Sequence, residues 1–396
     1  MKAIRDLVDK QKERFKKDGK YTNMYRAFEA LETFLFVPNH TTPAKGVQIR
    51  DANDLKRMMM TVIIAMVPCL LFGMWNAGHQ HYLAIGQEAD FLTKFLLGAQ
   101  LVIPIVAVAY IVGLATDFAS CVIRNHAVNE GYLVSGMLIP LIMPVTIPLW
   151  QVAIATVFAV IIAREVFGGT GMNVLNVALT ARAFLYFAYP TDISGSVWTY
   201  IGDATAIEGY SGATALAIAS EASAAGNSVV QAFASNWDSS MYSLSSLFMG
   251  TVPGSIGETS TLMCLIGAAI LIFTGVGSWK IILGVFGGAY ATGLLFNALA
   301  LNEYMAMPAE YHLVIGGLAF GAVFMATDPV TAAHTESAKW VYGILIGVLT
   351  VLIRVFNPAY PEGIMLAILF MNVMAPLLDY FVVEANKKRR LQRATV

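Results

Sequence analysis

This sequence predicts an all-α protein that crosses a membrane many times, and three observations make the prediction. Hydrophobic residues fill 57% of the 396 positions and charged residues only 13%, against about 25% charged in an ordinary soluble domain. About ten apolar runs approach the roughly 18–20 residues that a helix needs to cross a bilayer. Lysine and arginine gather near the ends of those runs in the pattern expected when cytoplasmic ends retain positive charge.

The segments are read in chain order. The opening stretch "MKAIRDLVDKQKERFKKDGK" is charged and has no apolar run behind it, so residues 1–57 read as a cytoplasmic amphipathic arm rather than a secretory signal. Five apolar segments follow, at approximately 58–76, 95–115, 131–148, 150–166 and a shorter 174–190. They form a first half, 58–190. A polar Ser/Gly/Ala-rich stretch at 191–259 comes next. A second half, 260–384, holds five more segments at approximately 260–275, 279–300, 312–326, 338–354 and 363–384, before a basic tail at 385–396.

Charge placement orients the chain. Both termini are basic, which requires an even number of crossings with both ends in the cytoplasm. Arg124, Arg164, Lys280 and Lys339 then fall at cytoplasmic ends, and only Lys94 and Arg354 fall outside. Between Arg182 and Lys280 there is no Lys or Arg, yet Asp192, Asp203, Glu208, Glu221, Asp238 and Glu258 lie there. The central stretch is therefore expected on the extracytoplasmic side. Five crossings per half insert the halves in opposite orientations, an inverted repeat whose site lies near the midplane on short or interrupted helices. Two segments have that character: "FGGTGMNVLNVALTAR" in the first half and "FMATDPVTAAHT" in the second.

Several function classes are excluded. A net charge of −1, with no basic and aromatic stretch, gives no footprint for nucleic acid. Cys69, Cys121 and Cys264 are far apart in sequence and each lies in an apolar run, so they read as small buried hydrophobes rather than a redox pair or cluster ligands. His79 and His81 in "GHQHY" have no further metal ligand nearby in sequence. "FGGTGMN" is not a dinucleotide fingerprint, so an NADH site belongs to another polypeptide.

The central stretch contains "EGYSGATAL" at 208–216. In Ser211-Gly212-Ala213-Thr214, glycine and small side chains leave the backbone open to close approach. The loop offers no His or Cys to activate Thr214, so a self-activated nucleophile is not available. Two readings remain from the residues alone: a turn capping a short helix through "ALAIASEASAA", or an acceptor for another enzyme's chemistry.

These stretches, with "DANDLKRMMM", "NHAVNEGYLVSGMLIP", "EVFGGTGMNVLNVALTARAFLYFAYP" and "PLLDYFVVEANKKRR", resemble over nearly the whole chain the B-subunit family of the sodium-translocating NADH:quinone oxidoreductase. The D subunit of the Rnf complex is the related alternative. The resemblance implies FMN bound to Thr214 by a phosphoester bond, attached by a separate flavin transferase from FAD, which explains why the hydroxyl needs no local base. It implies a second, non-covalent riboflavin, quinone as electron acceptor and Na+ as transported ion. It further implies a ten-helix, urea-transporter-like layout within a six-subunit complex of the bacterial inner membrane, with the NADH site, FAD and iron–sulfur clusters on partners. The chain departs from the family twice: Glu208 stands where Asp is usual six positions before the threonine, and Leu114 follows Gly113 where a second glycine is usual near a proposed quinone site.

Ionisable residues within apolar segments are costly and so are candidates for function. Asp117, Asp328 and Asp379 are candidates for sodium uptake, since a carboxylate with neighbouring backbone and Thr/Asn oxygens suits a partly dehydrated cation. Their structural alternatives are Asp328 as a cap before Pro329 and Asp379 paired with the nearby Lys/Arg cluster. Arg182 is a candidate for positioning the flavin or its loop, or for holding a helix C-terminus. Gly113 is a quinone-site candidate or a helix-packing glycine. A permease with the same five-plus-five layout and no flavin is the reading from another functional class.

Overall fold

The computed structural model describes residues 55–124, 131–202, 204–235, 238–357 and 360–394, with isolated positions before them. The N-terminal arm and residues 125–130 therefore lie outside the described residues, apart from those isolated positions. Among the described residues the secondary structure is helical, with no strand.

The chain forms α1 (Leu55–Ala84), α2 (Phe91–Arg124), α3 (Tyr132–Leu141), α4 (Leu149–Ala159) and α5 (Val177–Ala188). The central stretch contributes α6 (Ala215–Ala224), α7 (Val229–Ala234) and α8 (Leu244–Met249). Then come α9 (Thr261–Phe273), α10 (Trp279–Leu299), α11 (Ala309–Val314), α12 (Leu318–Phe320), α13 (Glu336–Phe356) and α14 (Ile364–Ala394). Of these, α1, α2, α10, α13 and α14 are long and apolar enough to cross a membrane. The protein is thus an all-helical polytopic membrane protein. Each of the other expected segments corresponds to a shorter helix or a broken one. The segment expected at 312–326 is interrupted where Gly316 takes φ +63°, a left-handed conformation that ends α11 and that a side chain would strain.

Two π-helical turns continue short helices: Val160–Glu165 after α4, and Gly321–Met325 after α12. Such turns leave the regular backbone ladder locally and recur at functional sites. Here they lead directly into the two segments that the sequence marks as interrupted.

Small residues set how closely the helices pack, since helices in lipid associate through backbone approach. A Cβ at Gly98 of α2 would lie 1.6 Å from the Met74 carbonyl oxygen of α1. Gly284 and Gly288 of α10 face Gly343 and Gly347 of α13; a Cβ at Gly288 would meet the Ile344 oxygen at 2.3 Å, and one at Gly347 the Val285 oxygen at 2.2 Å. Both helices carry the glycines four residues apart, on one face.

The apolar core is divided. One cluster runs through the bundle, from Ala65 and Val102 to Ile346 and Met371. A smaller cluster joins the central stretch to α11, with Ala215, Leu216, Phe233, Tyr242 and Leu247 packed among Met307 and Ile315. The 191–259 stretch is therefore folded and packs on both halves: it meets the second through this cluster, and the first where Asn76 of α1 donates to the Val252 carbonyl at 3.0 Å and Gln151 of α4 to Asp192 at 2.6 Å.

Candidate functional site

Thr214 is the N-cap of α6. Its backbone is extended (φ −75°, ψ 157°) and its hydroxyl accepts from the Ala217 N–H at 3.2 Å, satisfying one of the unpaired donors of the first turn. The turn before it depends on Gly212, whose φ is +56°, and on the Tyr242 hydroxyl, which donates to the Ala213 carbonyl at 2.6 Å. Ser211 is exposed, while Thr214 is half-buried rather than fully exposed as an open turn would leave it. The capping geometry places the hydroxyl at the positive end of a helix dipole.

Beside it lies a cavity of about 270 Å³ whose wall includes Thr214, Trp198, Tyr186 and Arg182. Arg182 sits in mid-α5, well before the end of that helix, and does not hold a helix C-terminus. Its guanidinium instead meets two carboxylates: Nη1 is 2.7 Å from Glu258 and Nη2 is 2.5 Å from Glu362. The Tyr360 hydroxyl also donates to Glu362, at 3.1 Å. Sequence reading missed both glutamates. A signal was present, because an arginine in an apolar helix needs a carboxylate, and these two stand at the edges of apolar segments.

A second cavity, of about 90 Å³, is formed where the interrupted segments of both halves meet. Thr170, Asn173 and Asn176 come from one side, Thr327 and Asp328 from the other. Asn176 also caps α5 by accepting from the Leu179 N–H at 3.2 Å. Asp328 makes a local turn: its carboxylate accepts from the Val330 N–H and the Thr331 hydroxyl, each at 3.1 Å. The two sequence motifs are thus neighbours in space although about 150 residues apart, as expected of a site built between halves.

The remaining candidates are placed elsewhere. Asp117 is fully buried in α2 and is paired at 2.8 Å with Arg164 of the first π turn. Arg164, expected as a cytoplasmic end charge, is buried with it. Asp379 takes different partners from the Lys/Arg cluster expected for it: it accepts from the His334 and Thr335 N–H groups, both at 2.8 Å, and from the Thr335 hydroxyl at 2.7 Å. It thereby fixes the entry to α13. A Cβ on Gly113 would lie 1.8 Å from the Tyr132 hydroxyl oxygen, so this glycine makes room for a buried tyrosine of α3. Arg354 is buried and donates to the His312, Ile315 and Glu362 carbonyls. Cys69 and Cys264, remote in sequence, bring their sulfurs to 3.9 Å across α1 and α9. His79 meets the Lys94 ammonium at 3.3 Å, and His81 Nδ1 lies 2.8 Å from the Tyr200 carbonyl.

Comparison with known proteins places the chain in a family. The chain is 48% identical to the B subunit of the Na(+)-translocating NADH-quinone reductase of Chromohalobacter salexigens, over 99% of this chain and 97% of that one. It is 47% identical to the protein of the same name from Stutzerimonas stutzeri, over 99% of each chain. A Pseudomonas aeruginosa relative, also of that name, is 44% identical over 99% of both. Residues 42–388 match the family described as NQR2, RnfD, RnfE, and with nearly full-length identity of this order the chain belongs to that family.

Proposed function

We propose that this chain is the membrane subunit of a sodium-translocating NADH:quinone reductase, passing electrons from an FMN esterified to Thr214 by way of riboflavin to quinone, with outward movement of Na+. The observation that carries the reading is the position of Thr214: a half-buried hydroxyl at a helix N-terminus, opening on the larger cavity. A phosphoester there would meet the first-turn N–H groups of α6 and the positive end of its dipole, the environment that a phosphate favours. This explains how a stretch without Lys or Arg accommodates an anion. Trp198 and Tyr186 supply aromatic surface beside it, and Arg182 holds the wall in place through its two carboxylates. When bound, the flavin supplies the electron-carrying chemistry; the protein supplies position and electrostatics.

In this reading both termini are cytoplasmic, and the cap bearing Thr214 faces the periplasm of a bacterial inner membrane, where a flavin transferase meets it. Ten full or partial crossings form two inverted, urea-transporter-like halves. The paired π turns and the meeting of the two interrupted segments support that layout. Among the ion candidates, Asp328 is the best placed, since it lines a cavity together with the oxygen-bearing residues Thr327, Asn173 and Asn176. The Asp117 carboxylate is already engaged by Arg164, and that of Asp379 by the start of α13.

Partner subunits of a six-subunit complex supply the NADH site. The test is purification from the native host. The proposal expects co-purifying subunits and NADH-driven quinone reduction that rises with Na+. Co-purification with ferredoxin-linked partners supports an Rnf-type D subunit instead, and a colourless protein with solute uptake in isolation supports a permease.

A further inference from the structure

We propose that Glu362 is a redox-linked proton site on the wall of the Thr214 cavity: its carboxylate binds one proton when an electron enters the cavity and releases it when the electron leaves. The inference rests on the reading above for the electron, which comes from the NADH-driven reaction. The balance is simple. One added electron makes the cavity more negative by one charge, and one proton on Glu362, converting its carboxylate to the acid, restores the original charge.

The geometry singles out this residue. Arg182 bridges Glu258 and Glu362, so one guanidinium faces two carboxylates in a largely desolvated wall. Two like charges on one cation cannot both be compensated where water is scarce, and one of the pair is poised to hold a proton. Glu362 is the more accessible of the two, with 13% of its side chain exposed against 7% for Glu258, and it belongs to the segment between α13 and α14. Other groups facing it are Tyr360, whose hydroxyl donates to it, Tyr186 of α5, and Arg354 of α13. Arg354 spends its N–H groups on three backbone carbonyls, including that of Glu362 itself. Burial pushes the Glu362 carboxyl up to about 7; Arg182 and Arg354 oppose the shift and Glu258 adds to it. A group in that range changes charge near neutral pH in response to one nearby electron.

The experiment is redox-difference infrared spectroscopy of the whole purified complex, in H2O and D2O, with flavin attachment checked on the same sample by fluorescence in a denaturing gel. The expected result is a protonated-carboxyl band that grows on reduction, shifts in D2O, disappears in Glu362→Gln, and moves in frequency in Glu362→Asp, which serves if the glutamine variant does not assemble. Glu258→Gln, which removes the like charge, moves the half-appearance of the band to lower pH. A band unchanged in Glu362→Gln overturns the proposal. So does its absence from a wild-type complex whose gel shows the flavin in place, and that result leaves the assignment of Thr214 standing. A gel without flavin on this subunit overturns the underlying reading, and the proton site with it.

Discussion

Replacing Arg182 with methionine removes the only cation that touches both Glu258 and Glu362 among the described contacts. Methionine keeps much of the length and the apolar stem, so the change isolates the charge. Breaking a buried ion pair by deleting one partner costs about 3–5 kcal/mol, because the other charge stays buried and uncompensated. Here two carboxylates are stranded, which places Arg182→Met at the upper end of that range. The triple variant Arg182→Met/Glu258→Gln/Glu362→Gln strands no charge and is expected to recover most of the loss, since neutral replacement of a buried pair is often nearly without cost. The assay is the thermal midpoint of the detergent-solubilised complex, used as a ranking because unfolding of such assemblies is irreversible. A sign check adds a second readout. With the guanidinium gone, the buried Glu362 carboxyl holds its proton in the folded state at pH values where the unfolded chain has lost it, so stability falls as pH rises. The wild type is expected to show the same trend from Glu362 in weaker form between about 4.5 and about 7, the interval through which that carboxyl is raised. The reasoning is refuted if the triple variant is no more stable than the single one, or if Arg182→Met gains stability with rising pH.

Other substitutions separate packing from chemistry. Gly113→Ala places a methyl group against the Tyr132 hydroxyl, and overpacking of this kind costs about 1–3 kcal/mol; Gly113→Ala with Tyr132→Leu should regain part of the lost thermal midpoint. Asp379→Ala frees the His334 and Thr335 N–H groups and is expected to lower stability by about 1–2 kcal/mol, as loss of a cap does, with little change in the Na+ concentration for half-maximal quinone reduction. Asp328→Asn should raise that Na+ concentration several-fold while leaving the thermal midpoint nearly unchanged, since the amide oxygen still accepts from Val330. Thr214→Ser preserves an oxygen at the N-cap position and is expected to keep the stability of α6, read as the same thermal midpoint.

Much of the fold was legible because hydrophobic length is a local property. The apolar run read at 279–300 became Trp279–Leu299, and the run at 338–354 lies within Glu336–Phe356. Where glycine or proline interrupts a segment, as at Gly316, length gave its place but not its shape. The basic-end rule assigns Arg164 and Arg354 to ends of segments but is silent on their burial, for a physical reason. It counts charge near a helix end without knowing the partner, and those partners, Asp117 and the His312 and Ile315 carbonyls, lie far along the chain. The same remoteness hid Glu258 and Glu362 beside Arg182, and the approach of Cys69 to Cys264. Thr214 was legible as a helix cap, which the structure shows directly; its role as a flavin acceptor is the proposal that the resemblance of "SGAT" adds. The two roles are compatible, because the backbone donors that a cap satisfies are those a phosphate would meet.

The most direct measurement is peptide mass spectrometry of this subunit purified from its native host, with a denaturing gel under blue light run alongside. The account predicts an FMN moiety on the peptide containing Thr214 and a fluorescent band that is lost in Thr214→Ala, while the subunit still accumulates in the membrane. A bare Thr214 peptide in the native protein, or a band that survives in Thr214→Ala, contradicts it.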